Sequence, residues 1–257
     1  MAGEIAWEKP GLVLRPEMQQ NRSRSGWWQI QRGAPVTGAS GDIWEVMSTA
    51  RTIRRFTDEP VDDIVLARCM QAATWAPSGA NAQGWRFIVL RSPEQRAVVA
   101  KAAAHALEVI EPVYGMTRPA ADDNSRRART YRATYELHDR AGEFTSVLFT
   151  QKHFPTASEL LLGGSIFPAM QNFVLAARAQ GLGACLTGWA SYGGEPLLRA
   201  AVGVPEDRMI AGHVVVGWPK GRHGPVRRRP LAEAVNLDHW DEPADELLAA
   251  TLRPSTG

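Results

Sequence analysis

Three short stretches concentrate groups that bind rather than react. Arg51-Thr52-Ile53-Arg54-Arg55 sets a hydroxyl between guanidiniums. That pattern suits a phosphate or another planar polar acceptor. A purely electrostatic reading competes with it, since cations at the end of a helix favour its C-terminus. The stretch PSGANAQGWRF, Pro77 to Phe87, carries Ser78, Asn81 and Gln83 and little charge. Neutral donors and acceptors of this kind suit an uncharged heterocycle. Pro77 stops the preceding helix, Gly79 and Gly84 give the backbone room, and Trp85 anchors the loop. Arg227-Arg228-Arg229 follows an apolar strand. If extended, it puts Arg227 and Arg229 on one face. A solvated basic turn is the alternative.

Reacting groups are scarce around these binders. Ser78 lies in PSGAN, which is not GxSxG, and no histidine has a clear relation to it. Asp58-Glu59 and Asp62-Asp63 read as turn and helix-start residues. Cys69 and Cys185 sit in apolar contexts and read as buried thiols rather than a disulfide. The six histidines form no HExxH, and no Cys/His cluster suggests a metal. GLGACLTG has the wrong spacing for a dinucleotide fingerprint and precedes a strand. So thin a supply of acids and bases points to chemistry borrowed from a cofactor.

The elements that must position these residues follow from periodicity. Asp42 caps a helix with Ile43, Val46 and Met47 on its apolar face. DDIVLARCMQAATWA is a second helix, with Ile64, Leu66, Met70 and Ala73 inward. RFIVLRS is a strand, and SPEQRAVVAKAAAHAL opens a helix on Ser-Pro-Glu. NSRRARTYRATYELHDRAG is basic and can be helical; EFTSVLFTQKHFP is a strand or an irregular loop. ELLLGGSIFPAMQNFVLAARAQG is a long helix, apolar on more than one face and closed by Gly181, hence central or at a dimer interface. ACLTGW and MIAGHVVVGWP are buried strands on either side of a helix in GEPLLRAAVGV. Helices and strands alternate without a βαβ rhythm, and no internal repeat is seen.

The totals bound the class. The chain has 257 residues, 44% hydrophobic and 22% charged, enough for one sizeable core or two small ones. A net charge of +2 gives no argument for nucleic acid. No signal peptide is visible, and no apolar run reaches the ~18 residues of a membrane span, so a cytoplasmic protein without a membrane partner is expected. Residues 1–41 read as an arm that docks through Trp27-Trp28 or as a disordered tail. Residues 42–240 read as one domain with a variable region at 109–157, and 241–257 as a tail.

Taken together, the stretches resemble the nitroreductase family of flavoproteins. RTIRRFTDEPV is similar to its first flavin signature, AATWAPSGANAQGWRFIVL to its second, and QNFVLAARAQGLGACLTGW to its third. VVVGWPKG with RRRPL resembles its last core strand and the basic segment after it. The resemblance implies an α+β fold, with a central, mostly antiparallel sheet flanked by helices in an intertwined homodimer with two FMN sites at the subunit interface. Arg51 and Thr52 would meet the phosphate and ribityl side of FMN, and Arg54 the pyrimidine edge. Ser78 and Asn81 would line the ring and ribityl chain, with Gln83 close by. Backbone amides at Thr187 and Gly188 would face the flavin N5 edge, and Arg227 and Arg229 would close on the phosphate. The chain departs from the family pattern at Ala50, where a basic residue is common, and at Gly84, where proline is common.

The implied activity is that of an oxidoreductase. By a ping-pong mechanism, hydride passes from NADH or NADPH through flavin N5 to a nitroaromatic, a quinone or a similar small acceptor. Other flavin chemistry on the same scaffold (flavin fragmentation, dehalogenation, azoline oxidation) and non-catalytic flavin binding or storage are the alternatives. Tyr131, Tyr135, Phe144, Phe149 and Phe154 could cover the flavin face or could be ordinary packing.

Overall fold

The computed structural model describes residues 40–155 and 157–249. The arm's first 39 residues, Trp27-Trp28 included, and the end of the tail lie outside the described residues. Four strands form one sheet in the order β1-β2-β4-β3: β1 (Trp85–Leu90), β2 (Thr145–Lys152), β3 (Gly183–Thr187) and β4 (Arg208–Gly217). All three pairings are antiparallel. This is the α+β architecture expected, and β2 resolves the strand-or-loop question in favour of an interior strand.

The sheet is buried on both faces, so its strands alternate between two cores rather than between core and water. Phe87, Val147, Phe149, Val214 and Val216 face one core with Phe173 and Leu182. Leu90, Leu148, Cys185 and Val215 face the other with Val99 and Trp189. The pairing jumps from Phe149–Gly212 to Thr150–Ile210, leaving Ala211 as a bulge. The extra residue flips the alternation, so Ile210 joins the second core while Ala211 packs on the first.

Helices α1 (Ile43–Thr49), α2 (Asp63–Ala73), α3 (Pro93–Tyr114), α4 (Arg126–Asp139), α5 (Glu159–Ala179), α6 (Glu195–Val202) and α7 (Asp245–Ala249) complete the fold. Their starts follow the cap residues. Asp42 accepts from the Trp44 and Glu45 amides at 2.7 and 3.1 Å, and Ser92, Ser125 and Ser158 cap α3, α4 and α5. Gly181, at φ 83°, takes the chain out of α5. α5 places Leu162, Ile166, Ala169, Met170, Phe173 and Ala177 inward at helical spacing.

Three expectations need correction. Ile43 and Met47 are exposed, and only Val46 of α1 is buried. Ile64 is exposed too, because the inward face of α2 is Val65, Leu66, Cys69 and Ala73. α5, with 21 residues and a mean hydropathy of 1.5, is long and apolar enough to cross a membrane by length and composition. One face of it packs against α2 and the sheet, while Leu160, Leu161 and Phe167 remain exposed. Both cysteines are buried and free, as expected, and burial pushes the Cys69 thiol up to about 12 and the Cys185 thiol to about 11.

Candidate functional site

Residues 51–54 run along the free edge of β3. Thr52 forms a parallel bridge with Ala184, and the Ile53 amide donates to the Ala184 carbonyl at 3.0 Å. Beyond Ile53 the segment leaves β3 for the end of β4, where Phe56 bridges Pro219 and the Thr57 amide donates to the Trp218 carbonyl at 2.8 Å. The close approach depends on Gly183, where a Cβ would sit 2.8 Å from Ile53 Cβ. Two further backbone ties bring the C-terminal basic segment in. The Val226 amide donates to the Ser48 carbonyl at 2.8 Å, and the Lys220 amide to the Arg55 carbonyl at 3.0 Å.

The result is a cleft of about 510 Å³ lined by Arg51, Thr52, Arg54, Arg126, Arg129, Arg227 and Arg228 among others. No carboxylate lines it. Among the described residues, none of its arginines is ion-paired. Arg229 stands apart, 85% exposed and 3.6 Å from Glu233, while its neighbour Arg228 lines the cleft. Arg227 and Arg228 therefore share the cleft, and Arg229 does not join them. Arg126 and Arg129, from the first turn of α4, were read in the sequence only as part of a basic helix. The available signal was a helix start rich in arginine and without an acid.

Behind this edge lies a buried polar chain. The Thr187 hydroxyl donates to the His213 carbonyl at 3.3 Å, which leaves its oxygen to accept from His213 Nδ1 at 2.9 Å. His213 is fully buried, and burial pushes its pKa down to about 3, so the ring is neutral. His138 is held neutral by burial in the same way. Its Nδ1 donates to the Thr134 carbonyl at 2.8 Å, and its Nε2 accepts from Trp189 Nε1 at 2.9 Å. Gly188 is needed where it stands, because a Cβ there would sit 2.7 Å from the Tyr192 ring.

Ser78, Asn81 and Gln83 form a second group, in the loop before β1. Ser78 Oγ accepts from the Gln83 amide at 3.0 Å, and Gln83 Nε2 donates to Asn81 Oδ1 at 3.1 Å. Ala80, Asn81 and Gln83 have φ of 50°, 53° and 46°. Left-handed backbone at Ala and Gln costs on the order of 1 kcal/mol each, the kind of strain that gathers at ligand-binding loops. Asn81 and Gln83 are exposed. Trp85 is buried and anchors the loop as expected. Arg208 Nη2 braces the loop through the Gly84 carbonyl at 2.5 Å.

The two groups do not meet within one chain. The loop lies at the β1 edge and residues 51–54 at the β3 edge, three strand spacings or about 14 Å apart across the sheet. They also lie at opposite ends of β4, since Trp85 aligns through Gln151 with Met209, and Thr52 through Ala184 with Val216. Of the aromatics considered as a flavin cover, Tyr135, Phe144 and Phe149 are core residues and cannot serve. Tyr131 is half-buried under Arg127, and Phe154 packs beside Gly84.

Comparison with known proteins identifies relatives of this chain. The profile described as "Nitroreductase family" matches residues 47–218. The 5,6-dimethylbenzimidazole synthase of Rhodospirillum rubrum is 30% identical over 181 residues, 67% of this chain and 80% of that protein. The chloronitrobenzene nitroreductase of Comamonas testosteroni is 27% identical over 200 residues, covering 68% and 86%. A Desulfovibrio desulfuricans protein described as a nitroreductase and solved with FMN superposes with a TM-score of 0.57 at 25% identity, covering 79% of this chain and 99% of that one.

Proposed function

This chain belongs to the nitroreductase family, and from that premise we propose that it is an FMN-dependent oxidoreductase that takes electrons from NADH or NADPH and passes them to small organic acceptors. The observation that carries the proposal is the arginine cleft, which has a hydroxyl at Thr52 and no acid to neutralise it. A phosphate monoester fits that donor set. Bound FMN would supply the redox chemistry, accepting hydride at N5 and returning it to an acceptor.

The chain's own part is binding and shaping. Arg51 and Arg227 hold the phosphate, Thr52 the ribityl side, and Arg54 places positive charge towards the ring's pyrimidine edge. Thr187 and Gly188 present backbone amides to the ring's N5 edge. Ser78, Asn81 and Gln83 present neutral polar groups to the uncharged ring, but from a second copy of the chain, because one copy holds the two groups apart. The homodimer is thus part of the same proposal. Neutral His213 and His138 supply no proton near neutral pH, which agrees with chemistry resting on a cofactor.

The test is anaerobic. The purified, FMN-loaded protein is expected to bleach with NADH or NADPH and to recolour on addition of a quinone or nitroaromatic. Failure of both nicotinamides to bleach it sinks the proposal. It would then favour a second reading, another flavin reaction on this scaffold, for which the 30% identity to a 5,6-dimethylbenzimidazole synthase is the support.

A further inference from the structure

The basic cleft carries more positive charge than one flavin phosphate can use. Beside the flavin-phosphate cleft, and sharing Arg51, Arg54, Arg126 and Arg129 with it, lies a space of about 670 Å³ that adds Lys220 and Arg222. No carboxylate lines it either. The nearby Glu136 is already taken by Arg55, at 2.6 Å. A phosphate monoester brings at most about two negative charges, against six arginines in the first cleft alone.

Arg126 and Arg129 are also badly placed for the stability of α4. They lie in and beside its first turn, which holds no acid, where the helix dipole favours negative charge. They are three residues apart on one face, where like charges repel. An anion seated there reverses both penalties.

Resting on the oxidoreductase reading above, we propose that the space bounded by Arg126, Arg129, Lys220 and Arg222 is a second phosphate subsite, which takes the 2′-phosphate of the electron donor and makes NADPH the preferred nicotinamide. Its cationic lining, without a carboxylate, suits a phosphate.

The experiment uses the full FMN-loaded chain and the variants Lys220→Ala and Arg222→Ala, with Arg222→Lys as the conservative control. Adenosine 2′,5′-bisphosphate and 5′-AMP are titrated by calorimetry, and kcat/KM is measured with NADPH and NADH. The bisphosphate is expected to bind at least about tenfold more tightly than 5′-AMP, and each alanine variant to lower the NADPH-over-NADH ratio by about tenfold, with Arg222→Lys recovering part of it. FMN content should match that of the parent. Equal binding of the two nucleotides overturns the proposal. So does an equal loss with NADH and NADPH, or a loss of FMN from the alanine variants. Bisphosphate binding that depends on Arg222, in a protein that neither nicotinamide bleaches, would uphold the subsite and sink the oxidoreductase reading.

Discussion

At the scale of single residues, the proposed FMN contacts separate by charge. Arg51→Ala removes a charge-assisted contact to the phosphate and should weaken FMN by about 10- to 100-fold, roughly 1.5–3 kcal/mol. Asn81→Ala removes a neutral contact and should cost several-fold, about 1 kcal/mol. Flavin absorbance per protein in the purified variants reads both, and normal flavin in both would remove these two loops from the site. His213 makes a different prediction. Its folded pKa of about 3 lies below the ordinary 6.5, so the unfolded chain binds a proton that the folded one refuses. Stability from this residue is intact above about pH 6.5 and falls as pH drops towards 3, by up to about 1.4 kcal/mol per unit. Urea unfolding of the parent and His213→Asn at pH 7 and pH 5 should show the parent losing more. A constant gap between them would contradict it. These residue types were legible in the sequence as binders. The His213–Thr187 pair was not, because its members are 26 residues apart and meet only through the β3–β4 register.

At the scale of elements, the arginine edge depends on backbone ties more than on side chains. Gly183 lets residues 52–53 approach β3, with Ile53 atoms 2.8 Å from a built Cβ. Gly183→Val should push the Arg51–Arg54 segment outward and lower FMN affinity by about tenfold or more while the far-ultraviolet circular dichroism persists. An unchanged flavin content would show that the segment adapts. The helices and strands were readable because their apolar periods and caps are local. Ile64 was misassigned because period alone leaves a helix's facing uncertain by a residue. The left-handed run at Ala80, Asn81 and Gln83 was hidden, since only Gly79 and Gly84 announced a turn and neither of them carries the positive φ.

At the scale of the whole molecule, the separation of the two groups across the sheet is the argument for a dimer. α5 offers a surface for it: Leu160, Gly164 and Phe167 lie on one exposed stripe, with Leu160 87% and Phe167 53% exposed. A stripe of this kind on an otherwise core helix is a candidate for burial against a second copy. Phe167→Glu should shift the mass seen by light scattering from dimer to monomer and lower flavin content in step. Loss of the dimer with full flavin would refute the shared site, as would a parent protein that is monomeric with flavin bound.

The sequence by itself determined the α+β class, most element positions, the family resemblance and the kinds of groups that would bind. The class came through the family resemblance, and the rest from local spacing and residue chemistry. The tertiary structure decided which binders share a site. Sheet order and register set Arg51 beside Arg126, Arg129 and Arg227 and kept Asn81 at the far edge. It also moved Tyr135, Phe144 and Phe149 from candidate site to core. Those outcomes depend on strand pairing and on helices packed across long stretches of chain, and residue spacing along a sequence carries no distance of that kind.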